Sequence, residues 1–115
     1  MIRVEYRPEV PEMRFAGHAG FAPAGNDIVC AGVSALYGAL VMRLAQIEEA
    51  GGGTLSVAEE AGGWRVRFCS GGECPEPFQT VWTGLQLIAE EYPNHLEMRS
   101  VGCGERPVPD DKMRP

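Results

Sequence analysis

Apolar and polar residues alternate from the start of the chain. Ile2, Val4 and Tyr6 are interleaved with Arg3, Glu5 and Arg7, the period-two signature of a half-buried strand. Pro8 and Pro11 end it. Met13, Phe15 and Gly17 then alternate with Arg14 and Ala16, which predicts a second strand returning beside the first as a hairpin and delivering His18 at its end. A loop from Ala19 to Asn26 follows, with Gly20, Pro23 and Gly25 as turn residues.

The period then lengthens to that of a helix. Asn26 or Asp27 is a natural N-cap, and Val29, Val33, Leu36 or Tyr37, Leu40, Leu44 and Ile47 mark an apolar stripe running to about Ala50. Ala31, Ser34, Ala35, Gly38 and Ala39 give this helix a second face of small residues, where another backbone can approach closely. Gly51-Gly52-Gly53 stops it. Alternation resumes over Thr54 to Glu59 and Trp64 to Cys69, joined through Ala61-Gly62-Gly63 as a second hairpin. Gly71-Gly72, Pro75 and Pro77 turn the chain into a second helix with Phe78, Val81, Trp82, Leu85, Ile88 and Ala89 on its buried face. Pro93-Asn94 ends that helix, and His95 to Val101 reads as a last strand. The order is ββαββαβ, which predicts an α+β fold: a mainly antiparallel sheet with both helices packed on one face.

A chain of 115 residues makes one domain, here residues 1–101. From Gly102 the composition shifts to Gly, Pro and charge, and residues 102–115 read as a mobile tail. The most apolar stretch, Ile28 to Met42, is interrupted by Gly32, Ser34 and Gly38 and falls short of the ~20 residues that span a bilayer, so it reads as a buried core helix with no membrane role. The first residues alternate and lack the basic-then-apolar pattern of a signal peptide, so a cytoplasmic location is the expectation. A formal charge of −6 argues against direct nucleic-acid binding through phosphates and suits a basic protein partner.

Four cysteines are present: Cys30, Cys69, Cys74 and Cys103. In a reducing compartment they do not make a disulfide framework. The Cys69-x-x-x-x-Cys74 spacing is wider than a paired zinc knuckle and Cys103 has no local His or Cys, so no metal site and no cofactor is expected. The pairs Glu59-Glu60 and Glu90-Glu91 read as solvated faces, neighbours pointing different ways.

Cys30 stands apart. It falls in the first turn of the first helix, where unpaired N–H groups and the helix dipole favour an anion, and His18 precedes it across a glycine-containing loop. An imidazole there can take the thiol proton and later return one to a leaving group. Asp27 has two credible jobs, capping the helix or orienting His18, and the cap takes precedence because its carboxylate already meets the first-turn amides. Ser34, one turn after Cys30 and on the same side, is placed to bond the thiolate or the substrate, or simply to pack. Gly17 and Ala19 flank the histidine with little bulk, and with Gly20, Phe21 and Gly25 they are candidate contacts for an extended peptide.

The segment Gly17-His18-Ala19, the gap that follows it, and Asp27-Ile28-Val29-Cys30-Ala31-Gly32-Val33-Ser34-Ala35 resemble the ribosomal-processing cysteine proteases. Leu85-Gln86-Leu87-Ile88-Ala89-Glu90-Glu91-Tyr92-Pro93 is a weaker second match, so the likeness covers the chain from Met1 to about Ser100. The resemblance implies a cysteine endopeptidase with Cys30 as nucleophile and His18 as general base and acid. It also implies a homodimer whose substrate is the precursor of large-subunit ribosomal protein twenty-seven, cut after a short hydrophobic N-terminal motif. The chain departs from familiar members at Phe21-Ala22-Pro23-Ala24 and in its tail. The rival readings are a non-enzymatic ribosome-associated binding module of the same fold, and a metal or redox protein using Cys69, Cys74 and Cys103.

Overall fold

The computed structural model describes residues 1–17, 27–60, 62–70 and 76–102. Its elements are β1 (Ile2–Arg7), β2 (Glu12–Ala16), α1 (Ile28–Glu49), β3 (Thr54–Glu60), β4 (Gly63–Cys69), α2 (Glu76–Glu91) and β5 (Leu96–Ser100). This is the ββαββαβ order of an α+β fold read from the periodicities. The five strands form one sheet in the order β3-β4-β2-β1-β5. The β1–β2, β2–β4 and β3–β4 pairs are antiparallel, and β5 joins β1 in parallel. The parallel pair follows from α2, which carries the chain from the β4 side to the far edge of the sheet.

Because successive strand side chains point to opposite faces, register sorts the sheet into one apolar and one charged face. Ile2, Val4 and Tyr6 of β1, Met13 and Phe15 of β2, and Val66 and Phe68 of β4 lie on the first and bury against the helices. Six of the ten basic residues, Arg3, Arg7, Arg14, Arg65, Arg67 and Arg99, lie on the second, interleaved with Glu5, Glu12 and Glu97. Glu12 is the hub of that face and is only 1% exposed. Arg67 donates to its Oε1 from Nε and Nη2 at 3.0 and 2.7 Å, and Arg14 Nε donates to its Oε2 at 3.1 Å. The Nε atoms of Arg7 and Arg65 stand 4.0 and 3.9 Å away. One carboxylate thus relieves the repulsion of Arg14 and Arg65, which sit directly opposite each other in the β2–β4 register.

The helices pack on the apolar face. Val29, Val33, Leu40 and Leu44 of α1 and Phe78, Val81 and Leu85 of α2 are buried there. Tyr6 anchors α2, its ring stacked on Phe78 at 5.9 Å and tilted against Trp82 at 5.2 Å. The close helix–helix approach is made by Gly32 and Gly84: a Cβ on either would press on the Ile88 or Leu36 side chain. Of the small-residue face, Ala31, Ser34, Ala35 and Ala39 are exposed, so α2 does not cover it and it stays open to another backbone. The expectation of a buried core helix holds for one side of α1 only. By length and composition α1 is sufficient to cross a membrane, yet it buries only one side, and Ile28 and Met42 are 55% and 66% exposed. Its end is tied to the edge strand by Leu55 N–H, which donates to Glu48 Oε2 at 2.8 Å.

Removing the Glu12 carboxylate strands the guanidinium groups that surround it. Glu12→Ala is expected to lower the unfolding free energy by about 2 to 3 kcal/mol, below the usual loss for a broken buried pair because the arginines keep partial access to water. Urea denaturation of the two proteins measures this.

Candidate active site

Two ends converge at one edge of the apolar face: the exit of β2 and the start of α1. Asp27 leaves the loop in an extended conformation (φ −83°, ψ 100°), as an N-cap must, and its Oδ1 accepts the Cys30 N–H at 2.9 Å. Its carbonyl takes the first helical bond, from Ala31 N–H at 3.0 Å. The cap is itself buried, so the geometry of the first turn, and with it the Cys30 side chain, is set by one carboxylate. The same bond occupies the Cys30 amide and leaves the Ile28 and Val29 amides of the first turn outside the cap.

Cys30 is half-buried and opens on a cleft of about 600 Å³. The α1 wall of this cleft is Cys30, Val33, Ser34 and Tyr37, at the spacing that puts all four on one side of the helix. The facing surface is the end of the sheet's apolar side, where the register row Val4, Phe15, Trp64 and Glu59 crosses β1, β2, β4 and β3. Exposure rises along that row from 1% at Val4 through 7% at Phe15 to 42% at Trp64, because the helices cover its inner end only. Tyr37 bridges wall and floor, edge-on to Phe15 at 5.2 Å and tilted against Trp64 at 6.2 Å. Burial pushes the Tyr37 phenol above its ordinary pKa of 10.0, so its hydroxyl stays protonated through the neutral range.

Gly17 closes one end of the cleft. Its φ of +86° is a left-handed conformation that side chains disfavour, and a Cβ there would overlap the Met1 carbonyl oxygen, so the position next to His18 is held for glycine by backbone crowding. His18, Ala19, Gly20, Phe21 and Gly25 lie outside the described residues, as do Cys74 and Cys103. Cys69 is free and exposed at the end of β4, on a part of the sheet that does not line the cleft. The structure therefore brings together Gly17, Cys30 and Ser34, with Asp27 capping the same helix start.

Phe15, Tyr37, Trp64 and Glu59 also line the cleft and were not singled out from sequence as site residues. Phe15 and Tyr37 carry the periodicity of core positions, which they satisfy. Glu59 is exposed, in keeping with a solvated face, and the cross-strand register with Trp64 puts it on the helix side of the sheet. The available signal was an acid at a strand position whose parity matches Leu55 and Val57.

The family model for the cysteine protease Prp matches residues 1–97. Among solved structures the chain is similar to the ribosomal processing protease Prp from S. aureus in complex with a covalently linked product peptide, at 26% identity and a TM-score of 0.72 over 88% of this chain and 100% of that one. The same protease in complex with a substrate peptide gives 24% and 0.68 over 88% and 100%. SMU.848 from Streptococcus mutans shares the fold at 24% identity and a TM-score of 0.55, over 88% and 92%. No curated protein sequence matches the chain.

The cap and the charge of Asp27 separate by substitution. Asp27→Ala is expected to lose about 1 kcal/mol of stability, whereas Asp27→Asn, which keeps an acceptor for the Cys30 amide, loses only a few tenths. Thermal unfolding of both variants measures the difference.

Proposed function

Since the chain belongs to the Prp family of cysteine proteases, we propose that it removes the N-terminal extension from the precursor of a large-subunit ribosomal protein, number twenty-seven, with Cys30 as nucleophile and His18 as general base and acid. The observation that carries this reading is the Cys30 thiol at a capped helix start, open to a cleft of about 600 Å³. The S. aureus relative held a covalently linked product peptide, which is the kind of species a thiol nucleophile forms.

In the proposed reaction the Cys30 thiolate attacks the scissile carbonyl carbon, forming a C–S bond and pushing the carbonyl electrons onto oxygen. First-turn amides not used by the cap, those of Ile28 and Val29, are the candidate donors to that oxyanion. Collapse breaks the C–N bond, and imidazolium at His18 gives its proton to the departing amine. Water then attacks the thioester, one proton passing to His18 as the C–S bond breaks, so that Cys30 returns to thiolate beside imidazolium and the product leaves as a carboxylic acid that gives its remaining proton to solvent. Every proton and electron pair is accounted for without a metal or an organic cofactor. Ser34, beside Cys30 on the same wall, and Tyr37, a permanent donor at neutral pH, supply hydrogen bonds to the peptide backbone.

Two further elements belong to this proposal. The exposed face of α1, with Ile28 and Met42, supports association of two copies into a homodimer. The cytoplasm, where a basic ribosomal precursor is made, is the compartment that keeps a catalytic thiol reduced.

Cys30→Ala is expected to abolish processing while leaving the circular dichroism spectrum unchanged, because it removes one sulfur atom from a helix end and introduces a strong helix former. Wild type incubated with the ribosomal precursor should release a single N-terminal peptide by mass spectrometry, and His18→Ala should slow release at least ~10²-fold. A precursor that binds and stays uncut in reducing buffer assigns the chain to the binding-module reading instead.

A further inference from the structure

All six sheet arginines lie on the face away from the helices, and the acids that share that face are bonded or paired to them. Glu60 belongs to that set, with its carboxylate 3.9 Å from Arg14 Nε. Glu59 does not. Alternation along β3 puts Glu59 on the helix side, in line with Leu55 and Val57, and the β3–β4 register places it directly opposite Trp64. It is exposed and makes no hydrogen bond or ion pair among the described residues. An acid at the end of an apolar row serves neither the core nor the charged face, and the arginines that neutralise its neighbours are separated from it by the sheet itself.

We infer that Glu59 and Trp64 form a subsite for a lysine or arginine side chain of the peptide substrate, the alkyl stem lying on the indole and the cationic head meeting the carboxylate. This rests on the processing reading and adds to it a selection of charge. Both residues line the cleft that contains Cys30. Tyr37 supports the indole from the α1 side at 6.2 Å, and 42% of Trp64 remains open to receive a ligand. A cation over an indole face is favourable, and a carboxylate at the end of that face fixes which end of the side chain stays outermost. The edge position of β3 leaves room for the head group to remain partly hydrated, so selection falls on charge more than on length.

The test compares cleavage of a peptide spanning the precursor's processing site by wild type, Glu59→Gln, Glu59→Lys and, as an equal change of net charge on the exposed side of α2, Glu90→Gln. Glu59→Gln should raise KM about 5- to 10-fold with kcat held within about 2-fold, and should flatten the dependence of KM on salt. Glu59→Lys should raise KM further, and among peptides in which each Lys or Arg is singly replaced by Glu, one should restore it; a merely structural role for Glu59 gives no such rescue. Alkylation of Cys30 at the wild-type rate in all variants shows that the helix start is intact. If wild type cleaves and Glu59→Gln matches it in KM and salt dependence, or if no charge-reversed peptide rescues Glu59→Lys, the subsite is refuted and processing stands. If wild type leaves both peptide and precursor uncut, the processing reading falls and the subsite with it.

Discussion

One apolar face of a five-stranded sheet has to be covered, and the two helices that cover it are too narrow to reach its end. Everything else in the molecule answers to that constraint. Val29, Val33, Leu40 and Leu44 seat α1 on the face, while α2 takes the Tyr6 side through Phe78, Val81 and Leu85. Gly32 and Gly84 let the helices close on each other, which fixes how much of the sheet they leave bare. The uncovered remainder, the outer part of the Phe15–Trp64 row, is the floor of the cleft. A fully covering pair of helices would have given a larger core and no place for a peptide.

The opposite face solves a different problem. A sheet face that no helix covers would associate with others if it were apolar, and a dense lattice of charge prevents that. Here the lattice is built from cross-strand Arg–Glu neighbours around a single buried carboxylate, Glu12, whose two oxygens together meet four guanidinium groups. The arrangement also polarises the chain. With six arginines gathered behind the sheet, a protein of net charge −6 carries its excess acid on the remaining surfaces, the cleft edge among them.

Positioning of the thiol depends on very few atoms. Asp27 holds the Cys30 amide, the cap geometry sets the first turn, and Gly17 allows β2 to end against the first residues of β1. Tyr37, two turns of helix from Cys30, joins the α1 wall to the sheet floor through its ring contacts with Phe15 and Trp64.

Local pattern was enough to determine the elements and their order. Alternation of Ile2, Val4 and Tyr6 against Arg3, Glu5 and Arg7 defines a strand whatever its neighbours are, and Asp27 before an apolar helical period defines a helix start, because both signals act over a few residues. The pairing of Cys30 with a capped helix was legible for the same reason. What sequence alone could not provide was any property that belongs to two elements at once. Trp64 and Glu59 became cleft residues only when the β3–β4 register set them side by side, and that register is decided by burial of Val66 and Phe68, not by either residue itself. The exposed face of α1 was misread as buried because apolar composition reports what a helix can bury, whereas how much it does bury depends on the width of the sheet beneath it. The parallel docking of β5 on β1, which gives the sheet its second edge, likewise follows from where α2 sets the chain down.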